Sequence, residues 1–207
     1  MCKLHLVFDV TLLTHCMYYK DRPLNPVIKL IQNRVSCPRL TQPAPSEGEL
    51  TEIFSCAMRA PDHARLRPWR YHVVQAQARE ALGEVFAQVA REGGECSEAK
   101  IDKCRNMPLR SPLMVVAVCE PQTNNKVPEI EQLLAVGAGV QNMQLAISSL
   151  GYGSVWRTGE MAHAPLVKDA FNVSDQGHIV AFLYIGTPEK VPNKPELEMA
   201  EYVKLWN

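Results

Sequence analysis

With 207 residues, 46% of them hydrophobic and 21% charged, the chain has the composition of a single globular domain with a substantial core and room for an extra arm. Lysine plus arginine equals aspartate plus glutamate at 22 each, which excludes a global pull toward nucleic acid or an anionic membrane and makes any basic site local. No apolar run approaches the ~20 residues of a membrane span, so the expected partner is a small molecule, with no nucleic acid and no membrane.

Residues 1–25 are expected to be an arm of uncertain status. Leu4 to Cys16 superficially resembles a signal segment, but Asp9 and His5 interrupt it and His15 stands where a small residue should precede cleavage. Met17 is an alternative start. The 7 cysteines are scattered without a Cys-x-x-Cys pair, and the 6 histidines lack ligand spacing. That pattern argues against a disulfide framework or a zinc site and for the reducing cytoplasm.

Pro26 to Asn33 predicts a short helix, with Pro at its first turn and Val27, Leu30 and Ile31 on one face. Residues 37–46 hold three prolines and read as an extended connection. Ser46-Glu47-Gly48-Glu49 is a capping box, and Leu50, Ile53, Phe54, Ala57 and Met58 continue at helical spacing until Pro61 stops the helix. The loop that follows, to Pro68-Trp69, gathers Arg59, His63, Arg65 and Arg67 beside an indole. An aromatic wall, donors and fixed positive charge are what a flavin site needs; an ordinary surface loop anchored by a tryptophan has the same composition.

Arg70 to Val74 alternates as a strand, and Ala76 to Arg91 follows as a helix with Leu82, Val85, Phe86 and Val89 inward. A polar helix spans about Ser97 to Asn106. Leu113 to Cys119 is a continuous apolar run, the signature of a strand buried on both faces. Residues 129–150 predict the longest helix, nearly free of charge after Glu131 and expected to be buried almost all round, as core and as subunit interface. A short strand through Val155, a helix from about Ala164 to Phe171 and a strong strand over Ile179–Ile185 complete the body, with a proline-rich extended tail over 191–207. The irregular spacing of strands and helices points to an α+β or mixed sheet flanked by helices. Neither a Gly-x-Gly-x-x-Gly turn nor a phosphate-binding P-loop is present.

Four segments in register carry a resemblance. Asn33-Arg34-Val35-Ser36-Cys37-Pro38-Arg39, Ala60-Pro61-Asp62-His63 leading to Pro68-Trp69, Leu150-Gly151-Tyr152-Gly153-Ser154-Val155-Trp156-Arg157-Thr158-Gly159 and Leu183-Tyr184-Ile185-Gly186-Thr187-Pro188 resemble the FMN-dependent nitroreductase family. The likeness is closest to its compact, YdjA-like branch and spans residues 26–190, including Ile101-Asp102-Lys103 and Lys126-Val127-Pro128. It implies an α+β fold with a central mixed or antiparallel sheet, a homodimer with two FMN sites built at its interface, and reduction of the flavin by NAD(P)H before a small-molecule acceptor reoxidises it.

By position, the resemblance places Arg34, Val35 and Ser36 at the flavin phosphate and ribityl end, with Val35 standing where a second arginine is usual. Arg59 and His63 resemble flavin contacts made across the interface. Trp156, Arg157 and Thr158 resemble the segment along the flavin face, with the Thr158 or Gly159 amide donating to N5. Arg65 and Arg67 depart from the amide-bearing residues usual in their loop, and added cations there would ease reduction or favour an anionic substrate. No general acid or nucleophile is expected, because the cofactor does the chemistry. A flavin-binding or carrier module without turnover is the alternative.

Overall fold

Leu113–Cys119 (β3) is buried at every residue and organises the molecule. Met114, Val116 and Val118 face one hydrophobic core. Leu113, Val115, Ala117 and Cys119 face another. The computed structural model describes residues 25–94, 96–123 and 126–206. The arm expected over residues 1–25 lies, apart from Asn25, outside the described residues.

The chain divides into a compact unit over Arg34–Asn207 and a separate one over Met1–Asn33. The latter contains α1 (Pro26–Asn33), which buries none of its residues. In the larger unit, β2 (Trp69–Gln75) runs antiparallel to β3, pairing Trp69 with Cys119 and Gln75 with Leu113. On the other edge of β3 lies β5 (His178–Pro188), also antiparallel. Strand β4 (Gly153–Arg157) pairs antiparallel with β5, and the two-residue β1 (Leu40–Thr41) meets its end at Thr187 and Pro188. The sheet is thus antiparallel throughout and is flanked by helices, as the α+β expectation requires.

One face is covered by α2 (Glu47–Ala57) and α5 (Glu129–Ser149), which supply Leu50, Ile53, Ala57, Val136, Val140, Met143 and Ile147 to the core. The other is covered by α3 (Gln77–Glu92), α4 (Glu98–Arg105) and α6 (Pro165–Ala170) through Leu82, Phe86, Ile101, Cys104 and Val167. The predicted capping box forms: the Glu49 carboxylate accepts from the Ser46 amide at 2.8 Å, and the Ser46 hydroxyl accepts from the Glu49 amide.

Three expectations change. Residues 37–46 are not wholly an extended connection, because Leu40 and Thr41 find the end of β5 and pair with it. The tail is not extended throughout, since Met199–Tyr202 closes one helical turn (α7), too short to show periodicity. Helix α5 is not buried nearly all round: Ile130 and Leu134 are 57% and 65% exposed. The sheet covers one side only, and the apolar residues opposite remain open in the single chain.

Close approach explains the glycine in the middle of α5. A Cβ on Gly139 would stand 2.4 Å from the Tyr71 hydroxyl and 3.3 Å from the Ala57 carbonyl oxygen. Helix α2 and strand β2 therefore pack directly against its backbone.

Candidate functional site

Two of the sequence-predicted segments meet at the edge strand β4, and a third is tied to the helix α5. The first is Arg34-Val35-Ser36. Immediately after it, the Cys37 amide donates to the Ser154 carbonyl at 2.9 Å, so the segment is fastened alongside the first half of β4. The adjoining position leaves little room for a side chain: a Cβ on Gly153 would lie 3.0 Å from both Cys37 Cβ and Leu40 Cδ2. Arg34 Nη1 is buried and has no hydrogen-bond partner. A buried donor of that strength left unpaired is costly, and an anion is the partner its chemistry calls for.

Arg34, Val35 and Ser36 line a cleft of about 450 Å3 whose other wall is the tail, from Pro192 to Pro195 with Leu197. Lys194 adds a second cationic side chain there. Cys37, beside the segment, carries a thiol raised by burial against the opposing pull of the Arg34 charge and the Ser154 hydrogen bond. It is a buried thiol without an activating base.

The second segment is the end of β4. Trp156 and Arg157 are successive strand residues and therefore project to opposite faces. The Trp156 indole donates from Nε1 to the Val180 carbonyl at 3.0 Å, and its ring lies where a Cβ on Gly137 of α5 would touch it at 3.5 Å. The Arg157 guanidinium instead stands 6.0 Å from the Tyr184 ring centroid on the α3 side. Thr158 and Gly159 lie beyond the last paired residue, Arg157 opposite Phe182. Gly159 has φ 72°, which turns the chain out of the strand at this point. Arg157, Thr158 and Gly159 border a second pocket of about 350 Å3.

The third segment is the loop after α2. Ala64, Arg65 and Arg67 adopt left-handed φ values of 61°, 56° and 50°, a concentration of strain of roughly 1–3 kcal/mol per residue that a functional loop tolerates when its surroundings hold it. Asp62 holds it by accepting the Arg67 amide at 2.7 Å. His63 Nδ1 lies 2.7 Å from the Glu131 carboxylate in the first turn of α5. Arg59 is exposed and makes no ion pair among the described residues.

The structure therefore places Arg34, Val35 and Ser36 on one end of β4 and Trp156 to Gly159 on the other. Within one chain Arg59 and His63 belong to a different locus, tied to α5 through Glu131. Trp156 does not share a face with Arg157. Sequence reasoning missed Glu131 as the partner of His63, Arg110 and Tyr184 as walls of the second pocket, and the tail residues of the first. Only the tail and its approach had given a signal, in Pro188, Pro192 and Pro195, which suggest a chain laid against another surface.

Comparison with known proteins agrees with this architecture. Residues 31–187 match the Nitroreductase family, and the chain belongs to that family. It is 41% identical over 162 residues to the "Putative NAD(P)H nitroreductase YdjA" of Escherichia coli (strain K12), covering 78% of this chain and 88% of that protein. It is 35% identical over 162 residues to a "Putative NAD(P)H nitroreductase" of Haemophilus influenzae, covering 77% and 87%. Among solved structures, a nitroreductase-like family protein from Bacillus cereus shares the fold with a TM-score of 0.77 at 24% identity, over 89% of this chain and 97% of that one. A nitroreductase from Desulfovibrio desulfuricans, solved in complex with FMN, superposes with a TM-score of 0.69 at 22% identity, over 89% and 99%.

Proposed function

We propose that this protein is an FMN-dependent oxidoreductase that takes hydride from NAD(P)H at the flavin N5 and passes it to a nitroaromatic, quinone-like or enone-like acceptor. The observation that carries this reading is the buried, unpartnered Arg34 Nη1 at one end of β4, with the outward-turning Gly159 at the other. From Ser154, beside Cys37, to Gly159 is five residues of nearly extended chain, on the order of 16 Å. That is the reach of a ribityl phosphate joined to a tricyclic ring.

In this reading Arg34 and Ser36 hold the phosphate by a guanidinium fork and a hydroxyl, and Val35 contributes backbone only. The Thr158 or Gly159 amide donates to N5, and Trp156 and Arg157 flank the ring from the two sides of β4. Arg59 and His63 reach the site of a second subunit, which makes the protein a homodimer. The exposed Ile130 and Leu134 on α5 suit such an interface. FMN, when bound, supplies the hydride chemistry; the protein positions the nicotinamide and the acceptor against it. The free Cys37, Cys56, Cys96, Cys104 and Cys119 suit a cytoplasmic setting.

Val35, in the position where the family resemblance leads one to expect a second arginine, favours one other reading: a flavin-binding or carrier module without turnover. An absorbance spectrum after FMN soaking and desalting, followed by anaerobic NAD(P)H, separates the two. Retained flavin bands that bleach promptly and return with acceptor establish the oxidoreductase. Weak, exchangeable flavin that is reduced only slowly establishes the carrier, and no retained flavin overturns both.

A further inference from the structure

Where β2 and β3 stop pairing, side-chain amides take over from the backbone. Beyond the last strand pair, Trp69 with Cys119, the Glu120 N–H still donates to the Pro68 carbonyl at 2.7 Å. Pro68 and Pro121 have no N–H with which to extend the ladder. Gln132 of α5 then binds the main chain of Gln122 as a strand partner would. Its Oε1 accepts the Gln122 N–H at 2.8 Å, and its Nε2 donates to the Gln122 carbonyl at 2.9 Å. The Gln122 side chain in turn donates from Nε2 to the Leu66 carbonyl. Gln132 is 2% exposed, and an amide buried so deeply is costly unless it is bonded; here both ends of it are spent on one residue.

Leu66 lies inside the loop in which Ala64, Arg65 and Arg67 hold left-handed φ values. Several ties of that loop are local: the Arg65 N–H donates to the Asp62 carbonyl at 3.2 Å, the Arg67 N–H to the Asp62 carboxylate at 2.7 Å, and the Arg70 guanidinium to the Arg67 carbonyl at 3.1 Å. Local bonds give the loop its shape but do not seat it on the body. Two successive residues of α5 do: Glu131 takes His63, and Gln132, through Gln122, takes Leu66. The first contact joins two exposed side chains, which is weak, whereas the second starts from a buried and fully bonded amide. We propose that Gln132, acting through Gln122, is a positioning residue for the flavin site, holding the strained loop in the course that sets where Arg59, His63, Arg65 and Arg67 stand. Its bearing on flavin binding rests on the function proposed above; the anchoring of the loop does not.

The test is amide hydrogen exchange on flavin-free protein, read by mass spectrometry, with FMN titration of the same variants. Gln122→Met cuts the link to Leu66 at an exposed position, so the fold itself is not at stake. Exchange over residues 59–67 should quicken about tenfold, the worth of one hydrogen bond, while the β3 amides and the denaturation midpoint stay unchanged. The Kd for FMN should rise by a similar factor. Gln122→Lys, which keeps a donor of sufficient reach, should restore part of both effects. Gln132→Met should reproduce them with an added loss of global stability, and Gln122→Met decides the matter if that variant does not fold. Unchanged loop exchange in Gln122→Met, equal acceleration in the loop and in β3, or a quickened loop with unaltered FMN affinity would each overturn the positioning role. The oxidoreductase reading fails separately, in the unaltered protein, if that protein takes up no FMN; exchange in the variants then still decides whether Gln132 anchors the loop.

Discussion

The Cys37 amide and the Ser154 carbonyl meet at 2.9 Å, and that bond determines where Arg34 and Ser36 stand relative to the rest of β4. The approach is possible because Gly153 has no Cβ. Gly153→Ala should lower stability by about 1–3 kcal/mol through overpacking against Cys37 and Leu40, and Gly153→Val by more. Denaturant unfolding measures the loss. The same variants should retain less FMN, because the Arg34 segment is displaced with Cys37.

Arg34 separates stability from binding. Its Nη1 is buried without a partner, so Arg34→Met removes an unsatisfied donor and should leave the thermal midpoint of flavin-free protein unchanged or raised. FMN affinity should fall by about 1.5–3 kcal/mol, roughly 10- to 150-fold in Kd, the loss of one charge-assisted contact. A drop in apo stability with unchanged FMN affinity would make Arg34 a structural residue.

Tyr71 and Gly139 should be energetically coupled. The Tyr71 hydroxyl is buried and unpartnered, and burial pushes its pKa up to about 12. Tyr71→Phe should therefore be neutral or mildly stabilising. Gly139→Ala should cost about 1–3 kcal/mol alone and distinctly less in the Tyr71→Phe background, a non-additivity that a double-mutant cycle reads directly.

His72 should shape the pH dependence of stability. Its ring lies 5.2 Å from that of Phe171, and burial holds its pKa below the ordinary 6.5. As pH falls through 6.5 the unfolded chain takes up a proton that the folded chain refuses, so stability declines from about 6.5 down to the depressed folded value. His72→Gln should flatten unfolding free energy across that window while leaving the region above it largely unaltered.

The open face of α5 should decide the oligomeric state. Leu134 is 65% exposed in the single chain. If the proposed homodimer buries this face, Leu134→Arg should shift sedimentation from dimer to monomer, because a charge placed in an apolar interface is left without a partner. Flavin retention should fall with dimerisation if Arg59 and His63 complete the neighbouring site.

Much of the architecture was legible in the chain itself. The unbroken run Leu113–Cys119 specifies a strand that no solvent touches, because every side chain on both faces is apolar. The Ser46–Glu49 capping box and Pro61 bound α2, since caps and prolines act on local backbone hydrogen bonds. The order of the Arg34, Pro61–Trp69, Trp156–Gly159 and β5 segments was sufficient to indicate the family.

Other features depended on contacts distant in sequence. That Leu40 and Thr41 pair with β5, that His63 meets Glu131 and that Trp156 rests near Gly137 could not be read from periodicity, which reports only neighbours along one element. Tertiary structure also turned Trp156 and Arg157 to opposite sides of the sheet and placed Arg110 and Arg157 in the lining of one pocket. The sequence by itself determined the elements and their burial, through the spacing of apolar side chains and local capping. Only the folded sheet decided which charges share a pocket and which remain without a partner, because charge interactions depend on distance in space and on exclusion of water, neither of which is encoded in a single segment.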